Sequence, residues 1–259
     1  MKWLGALFSI FLFSFLYLPM LVLVVLSFNE AKRGSAWLGF SWKWYERLFH
    51  NPDLINPFFT SLEIALSSAV LSAFLGLCVG YLIVRGGKFN REAMSWASYL
   101  PIMLPEIVLG LSLLSFFVWI GFPLGRMSVL LGHVAFGTAY VAVLVRARLS
   151  QADPLLEDAA YDLGSNRRKT FIKVVLPQLT TTLISGMMMV FTLSFDDFII
   201  SFFLAGVGVT TLPMKVYSML KFGVTPEVNA LCALILMGSF LLVTTSLLYL
   251  RSLDGQRHV

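Results

Sequence analysis

The chain has 259 residues, 58% of them hydrophobic and 13% charged, with a mean hydropathy of +0.83. A water-soluble domain carries about 25% charged residues, so the composition excludes an ordinary soluble enzyme and indicates an integral membrane protein. The formal charge of +5 reads as a topology signal and calls for no nucleic-acid partner.

Crossing a hydrocarbon core of roughly 30 Å takes about 20 apolar residues. Six runs qualify, at about 4–28, 58–84, 98–120, 127–145, 177–204 and 228–250. The expected fold is therefore an all-α polytopic membrane protein with six transmembrane helices in one domain, 1–259. The first run is longer than the apolar stretch of a signal peptide and reads as a retained span. With the N-terminus inside, twelve Lys and Arg fall on inner segments and seven on outer ones, which predicts that both termini are cytoplasmic.

The first outer loop, 29–57, holds Trp37, Trp42, Trp44 and Tyr45 among charges. Such aromatics anchor at the membrane–water boundary, with an amphipathic piece near 41–49. Gly86-Gly87 marks an inner turn. The third span opens with Pro101 and Pro105, which invite a kink. The third and fourth spans, joined by a short turn around Gly121-Phe-Pro123, are expected to pair antiparallel. Cys78 and Cys232 read as buried, inert thiols, and His133, in the fourth span, as a ring hydrogen-bonded to a neighbouring helix. The segment from Gly206 to Glu227 is an outer region with a partly buried or re-entrant helix.

Between the fourth and fifth spans lies a compact polar island, Glu157-Asp-Ala-Ala-Tyr-Asp-Leu-Gly164, continued to Leu176-Pro177. Asp153 caps a helix whose first residue is Pro154, and Gly164 ends it. Leu155, Leu156, Ala159, Ala160 and Leu163 form one apolar stripe. Arg167, Arg168, Lys169 and Lys173 lie on a second short helix that Pro177 stops. The expected product is a helix-turn-helix shelf, about 146–176, at the membrane surface.

The six spans contain no Lys or Arg, yet they hold Glu63, Glu106, Asp196 and Asp197. An ionised Asp at the bilayer centre costs roughly 2.5–3.5 kcal/mol. That leaves protonation, a cation on a partner subunit, or a cationic substrate. Glu63 lies near the outer end of its span, within reach of water. Counted along straight helices, Glu106 sits about 12 Å from the inner boundary and Asp196 about 28 Å. Asp196 and Asp197, about 100° apart on one helix, do not both face one channel, and one of them is left for a helix contact. Trp119, Phe116, Phe195 and Tyr140 are candidate aromatic neighbours for a cation. An intramembrane aspartyl protease needs two converging carboxylates, which adjacent residues do not provide. A proton-coupled carrier would use the same acids without needing the shelf. No phosphate-binding loop is present, since the glycines required before Lys169-Thr170 fall on Leu163 and Arg168.

The Glu157-x-Ala159-Ala160 run with Gly164 and Leu176-Pro177 resembles the cytoplasmic loop motif of permease subunits of binding-protein-dependent ABC importers, with Asp158 where a small residue is commoner. Ser194-Phe-Asp-Asp-Phe198, Thr211-Leu-Pro-Met-Lys-Val-Tyr217, Gly223-Val-Thr-Pro-Glu-Val-Asn-Ala230, Pro105-Glu106 and Ser27-Phe-Asn29 are similar to segments of spermidine/putrescine importer permeases. The resemblance implies a bacterial inner-membrane permease that moves polyamines, or another cationic or amino-acid-like solute, by alternating access. It implies a second homologous permease subunit, an external substrate-binding protein and an ATPase dimer that carries ATP and magnesium, with no cofactor in this chain. Glu157, Ala159, Ala160, Gly164, Leu176 and Pro177 would form the ATPase-coupling element, and Glu106, Asp196 and Asp197 would line the substrate pathway.

Overall fold

The structure, a computed structural model, describes residues 2–31, 36–86, 88–153, 155–221 and 226–257. Lys32, Arg33, Gly87, Pro154, the segment 222–225 that holds Gly223 and Thr225, and His258 lie outside the described residues. Those described are helical throughout apart from turns and one isolated antiparallel bridge between Asn29 and Phe40. They fall into two compact units, 1–55 with 216–259, and 56–215.

In the first unit, α1 (Lys2–Ser27) packs along α12 (Pro226–Arg257), and the rest of its apolar surface is uncovered. Such a surface is stable only in hydrocarbon or against another apolar face. The short helix α2 (Lys43–His50) presses Trp44 and Tyr45 onto Ala230 and Leu234 of α12, with Phe28 beside them. The indole Nε1 of Trp44 donates to the Asn29 carbonyl at 2.7 Å, and the hydroxyls of Ser27 and Tyr45 are 2.6 Å apart. This corrects the expectation of interfacial anchoring for Trp44 and Tyr45. Both are core residues, whereas Trp37 and Trp42 are exposed.

The second unit is built on α3 (Pro52–Arg85), which belongs to it from Asn56 onward, with α4 (Lys88–Met103), α5 (Glu106–Trp119) and α6 (Arg126–Gln151). Next come α7 (Leu155–Asp162), α8 (Arg167–Thr170), a π-helical turn (Phe171–Val175), α9 (Leu176–Asp196), α10 (Ile199–Leu204) and α11 (Leu212–Lys221), the last running on into the first unit. α6 is the central helix. Gly76 and Gly80 let α3 approach it so closely that a Cβ on either would come within 2.5–2.7 Å of Val141 or Val145. Small residues four apart give membrane helices this intimate contact. α9 closes the other side of α6, and Val141, Val145, Leu149, Leu179 and Val190 form the shared core.

Among the described residues, four helices are long and apolar enough to cross a membrane: α1, α3, α6 and the rod Arg167–Asp196. The pair α4–α5 makes a fifth crossing if its two halves are one span, but they meet at a bend of 113°. The third span is thus not one straight helix. Pro105 lacks the N–H that would continue the ladder and biases Leu104 away from helical geometry. As a result α4 packs along α6, while α5 packs mainly on α10 and meets α6 over a shorter stretch, so the expected pairing with the fourth span is carried chiefly by α4. The fifth span breaks as well, after Asp196. Pro177 does not end a helix; it sits at the start of α9 directly after the π turn, and the chain runs helically through it. The wider turn accommodates the carbonyls that a proline leaves without donors.

Candidate functional site

The shelf folds as its residues dictate. Asp153 Oδ1 accepts the Leu155 N–H at 2.9 Å and caps α7, and Asn166 caps α8 by accepting from Lys169 N–H at 2.9 Å. Gly164 adopts φ +80° at the end of α7. There its N–H donates to the Tyr161 carbonyl and that of Ser165 to the Ala160 carbonyl, each at 2.9 Å, a Schellman closure. No side chain of α7 is buried. Leu155, Leu156 and Leu163 stand out from the chain, Leu163 at 90% exposure. Ala159 is exposed beside them and Ala160 half-buried. Glu157 is the exception, its carboxylate turned to Arg85 at the end of α3 and its side chain only 12% exposed. Leu176 and Pro177 open α9, at the base of the shelf.

The second feature is the break in the fifth span. Asp197 has left the helix, with φ −65° and ψ 124°. Its carboxylate accepts the N–H groups of Ile200 at 3.3 Å and Ser201 at 2.7 Å, which satisfies the open start of α10. Oδ2 also lies 3.1 Å from Nε2 of His133, a fully buried ring on α6. The other ring nitrogen, Nδ1, is 2.6 Å from Ser194 Oγ, which in turn is 3.0 Å from Ser68 Oγ of α3. With the Nε2 proton directed to Asp197, Nδ1 accepts from Ser194 and Ser194 accepts from Ser68, so each polar group has a partner.

This arrangement decides between the two aspartates. Asp197 is closed in by its partners, with a side chain 5% exposed, while Asp196, the last helical residue of α9, is exposed. The premise that they share one helix does not hold. Asp197 is satisfied neither by protonation nor by a cation but by a buried imidazole together with the open N–H groups of a helix start. The sequence offered a signal for it in His133 itself, which was expected to bond a neighbouring helix and does.

Glu106 is the first residue of α5, exposed at the 113° bend. Its depth along a straight third span therefore has no meaning. Among the described residues, no hydrogen bond or ion pair joins it to Asp196 or Asp197. Glu63 pairs with Arg126 at 2.8 Å, both well exposed. Of the candidate aromatics, Trp119 and Phe116 are exposed, while Tyr140 packs edge-on to Phe136 and Phe195 lies between Phe58 and Phe191. Cys78 is exposed and Cys232 half-buried, so neither is the fully buried thiol expected.

A set of long apolar helices, joined by a capped loop helix and interrupted at a carboxylate, is the architecture of a multi-pass membrane protein. Residues 72–254 match the family described as "Binding-protein-dependent transport system inner membrane component", and the chain belongs to that family. It is 42% identical over 231 residues to "Putrescine transport system permease protein PotI" of Escherichia coli (strain K12), covering 86% of this chain and 82% of that one. It is 38% identical over 244 residues to "Spermidine/putrescine transport system permease protein PotC" of Haemophilus influenzae, covering 94% and 95%. Two solved structures share the fold. A bacterial ABC transporter involved in the import of the acidic polysaccharide alginate aligns over 96% of each chain, with a TM-score of 0.71 at 14% identity. The MetNI methionine ABC transporter, in an inward-facing conformation, aligns over 79% of this chain and 93% of that one, with a TM-score of 0.57 at 19% identity.

Proposed function

We propose that this chain is a permease subunit of an ATP-driven importer that carries polyamines into the cytoplasm by alternating access. The observation that carries the reading is the exposed apolar face of α7, in a chain 36–42% identical to putrescine and spermidine/putrescine permeases. A single permease domain spanning 1–259 would cross a bacterial inner membrane six times with both termini inside. The excess of Lys and Arg on the inner segments supports that orientation. The sixth crossing would be α12, whose 32 residues extend about 48 Å as a helix.

The chain has no phosphate-binding loop, so ATP and magnesium belong on a separate ATPase dimer. Glu157, Ala159, Ala160, Gly164, Leu176 and Pro177 then constitute the coupling element, with Leu155, Leu156 and Leu163 offered to the ATPase. A second, related permease subunit would cover exposed apolar surface, and an external binding protein would deliver substrate. Asp196 and Glu106 serve the cationic solute as exposed carboxylates on the pathway, and Asp197 contributes to the same path by fixing the break beneath Asp196.

The test is uptake of labelled putrescine and spermidine by vesicles holding the complete complex. Uptake that requires ATP and persists after the proton gradient is collapsed supports the reading. Uptake that survives ATP depletion and stops without the gradient overturns it.

A further inference from the structure

We propose that Arg85 is a positioning residue for energy coupling: it grips Glu157 and so sets the angle at which α7 presents its apolar face. The proposal rests on the reading of α7 as the ATPase-docking helix.

α7 has eight residues and no fully buried side chain, so apolar packing, through half-buried Ala160 and the contact with the π turn, holds its rotation about its own axis only weakly. Its two ends are closed by Asp153 and Gly164, which set length but not azimuth. Glu157 supplies the missing constraint. Leu156 and Asp158 on either side of it are exposed, yet its own carboxylate is drawn in to the Arg85 guanidinium, itself 28% exposed. Arg85 is the last residue of α3. One turn earlier on the same face, Tyr81 meets Phe171 of the π turn edge-to-face at 5.1 Å between ring centroids. α3 thus touches the shelf twice, through a polar contact at α7 and an aromatic one at the root of α9. Because Gly76 and Gly80 lock α3 onto α6, a rotation of α7 imposed by a docked ATPase passes through Arg85 into the centre of the bundle. A guanidinium suits this role, since it stays charged and its rigid planar group is less free to turn about the contact than a lysine ammonium. The pair sits at the ends of α3 and α7, apart from the core that α6 and α9 share, so variants at Arg85 are expected to keep the fold and lose the alignment.

The experiment uses the full chain, assembled with its partner permease in lipid discs, and the tagged cognate ATPase. It measures ATPase affinity and labelled-putrescine uptake per ATP hydrolysed. Arg85→Glu is expected to weaken ATPase binding about tenfold and to lower uptake per ATP, with Arg85→Lys intermediate. The exchange Arg85→Glu with Glu157→Arg is expected to recover binding to within about twofold of the parent, which a general loss of structure would not allow. Unchanged binding in Arg85→Glu, or an exchange no better than either single variant, overturns the proposal. Leu163→Asp, on the exposed face, tests the underlying reading separately. If it leaves ATPase binding intact, α7 is not the docking helix and the role of Arg85 falls with it. If it releases the ATPase while Arg85→Glu does not, only the role of Arg85 is lost.

Discussion

His133 and Asp197 join two helices that the chain separates by 64 residues: Nε2 on α6 lies 3.1 Å from Oδ2 at the point where the fifth span breaks. The contact solves two problems at once. A buried imidazole needs a partner for its N–H, and a helix that restarts inside a bundle leaves N–H groups open at its first turn. One carboxylate answers both, since it also accepts from Ile200 and Ser201. The break between α9 and α10 is therefore a built feature, with Asp197 turned in and Asp196, the last helical residue of α9, exposed.

Removing the carboxylate strands the buried ring and the N–H groups together. Asp197→Ala is expected to cost about 3–5 kcal/mol, the range for breaking a buried pair on one side. Asp196→Asn, on an exposed residue, should stay within about 0.5 kcal/mol. Thermal unfolding of the detergent-solubilised chain, followed by tryptophan fluorescence, compares them. A transition for Asp197→Ala that matches the parent would show that Asp197 does not hold the break between α9 and α10.

The exposed acids carry the opposite expectation. Asp196→Asn and Glu106→Gln each remove a charge with little change of volume, so labelled-polyamine uptake should drop while assembly and unfolding temperature hold. Glu63→Gln should matter less, because Glu63 is already neutralised by Arg126 in a water-accessible pair. Full uptake in the Asp196 and Glu106 variants, alone and combined, would make these carboxylates structural and leave substrate choice to the external binding protein.

The close approach of α3 to α6 predicts a third result. A methyl group on Gly76 would stand 2.5 Å from Val141 Cβ, and valine, held to one helical rotamer, has little room to yield. Gly76→Ala should therefore destabilise by about 1–3 kcal/mol through overpacking. Gly5→Ala on α1, where nothing lies within 4 Å, should be neutral or slightly stabilising, as glycine in a helix costs about 0.5–1 kcal/mol relative to alanine. Equal unfolding temperatures for the two variants would refute the close packing.

What could be read from the sequence followed the range of the interaction. The shelf was legible because its signals are local: Asp153, Gly164 and the leucine spacing act within about three turns of one another, and Asp153 and Gly164 close the two ends as expected. The first, second, fourth and fifth apolar runs were equally plain, since hydropathy accumulates along one segment. The breaks were not. Pro105 announced a kink but not an angle of 113°, because packing of α5 on α10 sets the direction. Nothing beside Asp197 marks it as the end of a helix, for its partners lie on α6 and α10. Pro177 misled for the same reason. A proline usually stops a helix, but the π turn ahead of it removes the conflict, and no residue type in Phe171-Ile-Lys-Val-Val175 signals that turn. Arg85 and Glu157, 72 residues apart, pair only because the fold brings α3 down beside the shelf.

Gly164 offers the cleanest separation of backbone from side-chain effects. It sits at φ +80°, yet a Cβ there would meet nothing within 4 Å, so any penalty for replacing it is conformational. A left-handed residue other than glycine costs roughly 1–2 kcal/mol, and more for β-branched types, whereas asparagine tolerates the region. Gly164→Val should thus unwind the Schellman closure that holds Ser165 to Ala160, while Gly164→Asn should keep it. Because α7 has no buried residue, membrane insertion and the unfolding temperature of the bundle should hold in both. Co-purification of the ATPase and ATP-driven uptake should fall severalfold in Gly164→Val and stay near the parent in Gly164→Asn. Equal coupling in the two variants would mean that the end of α7 is not what the ATPase reads, and the docking surface would have to be sought elsewhere on the chain.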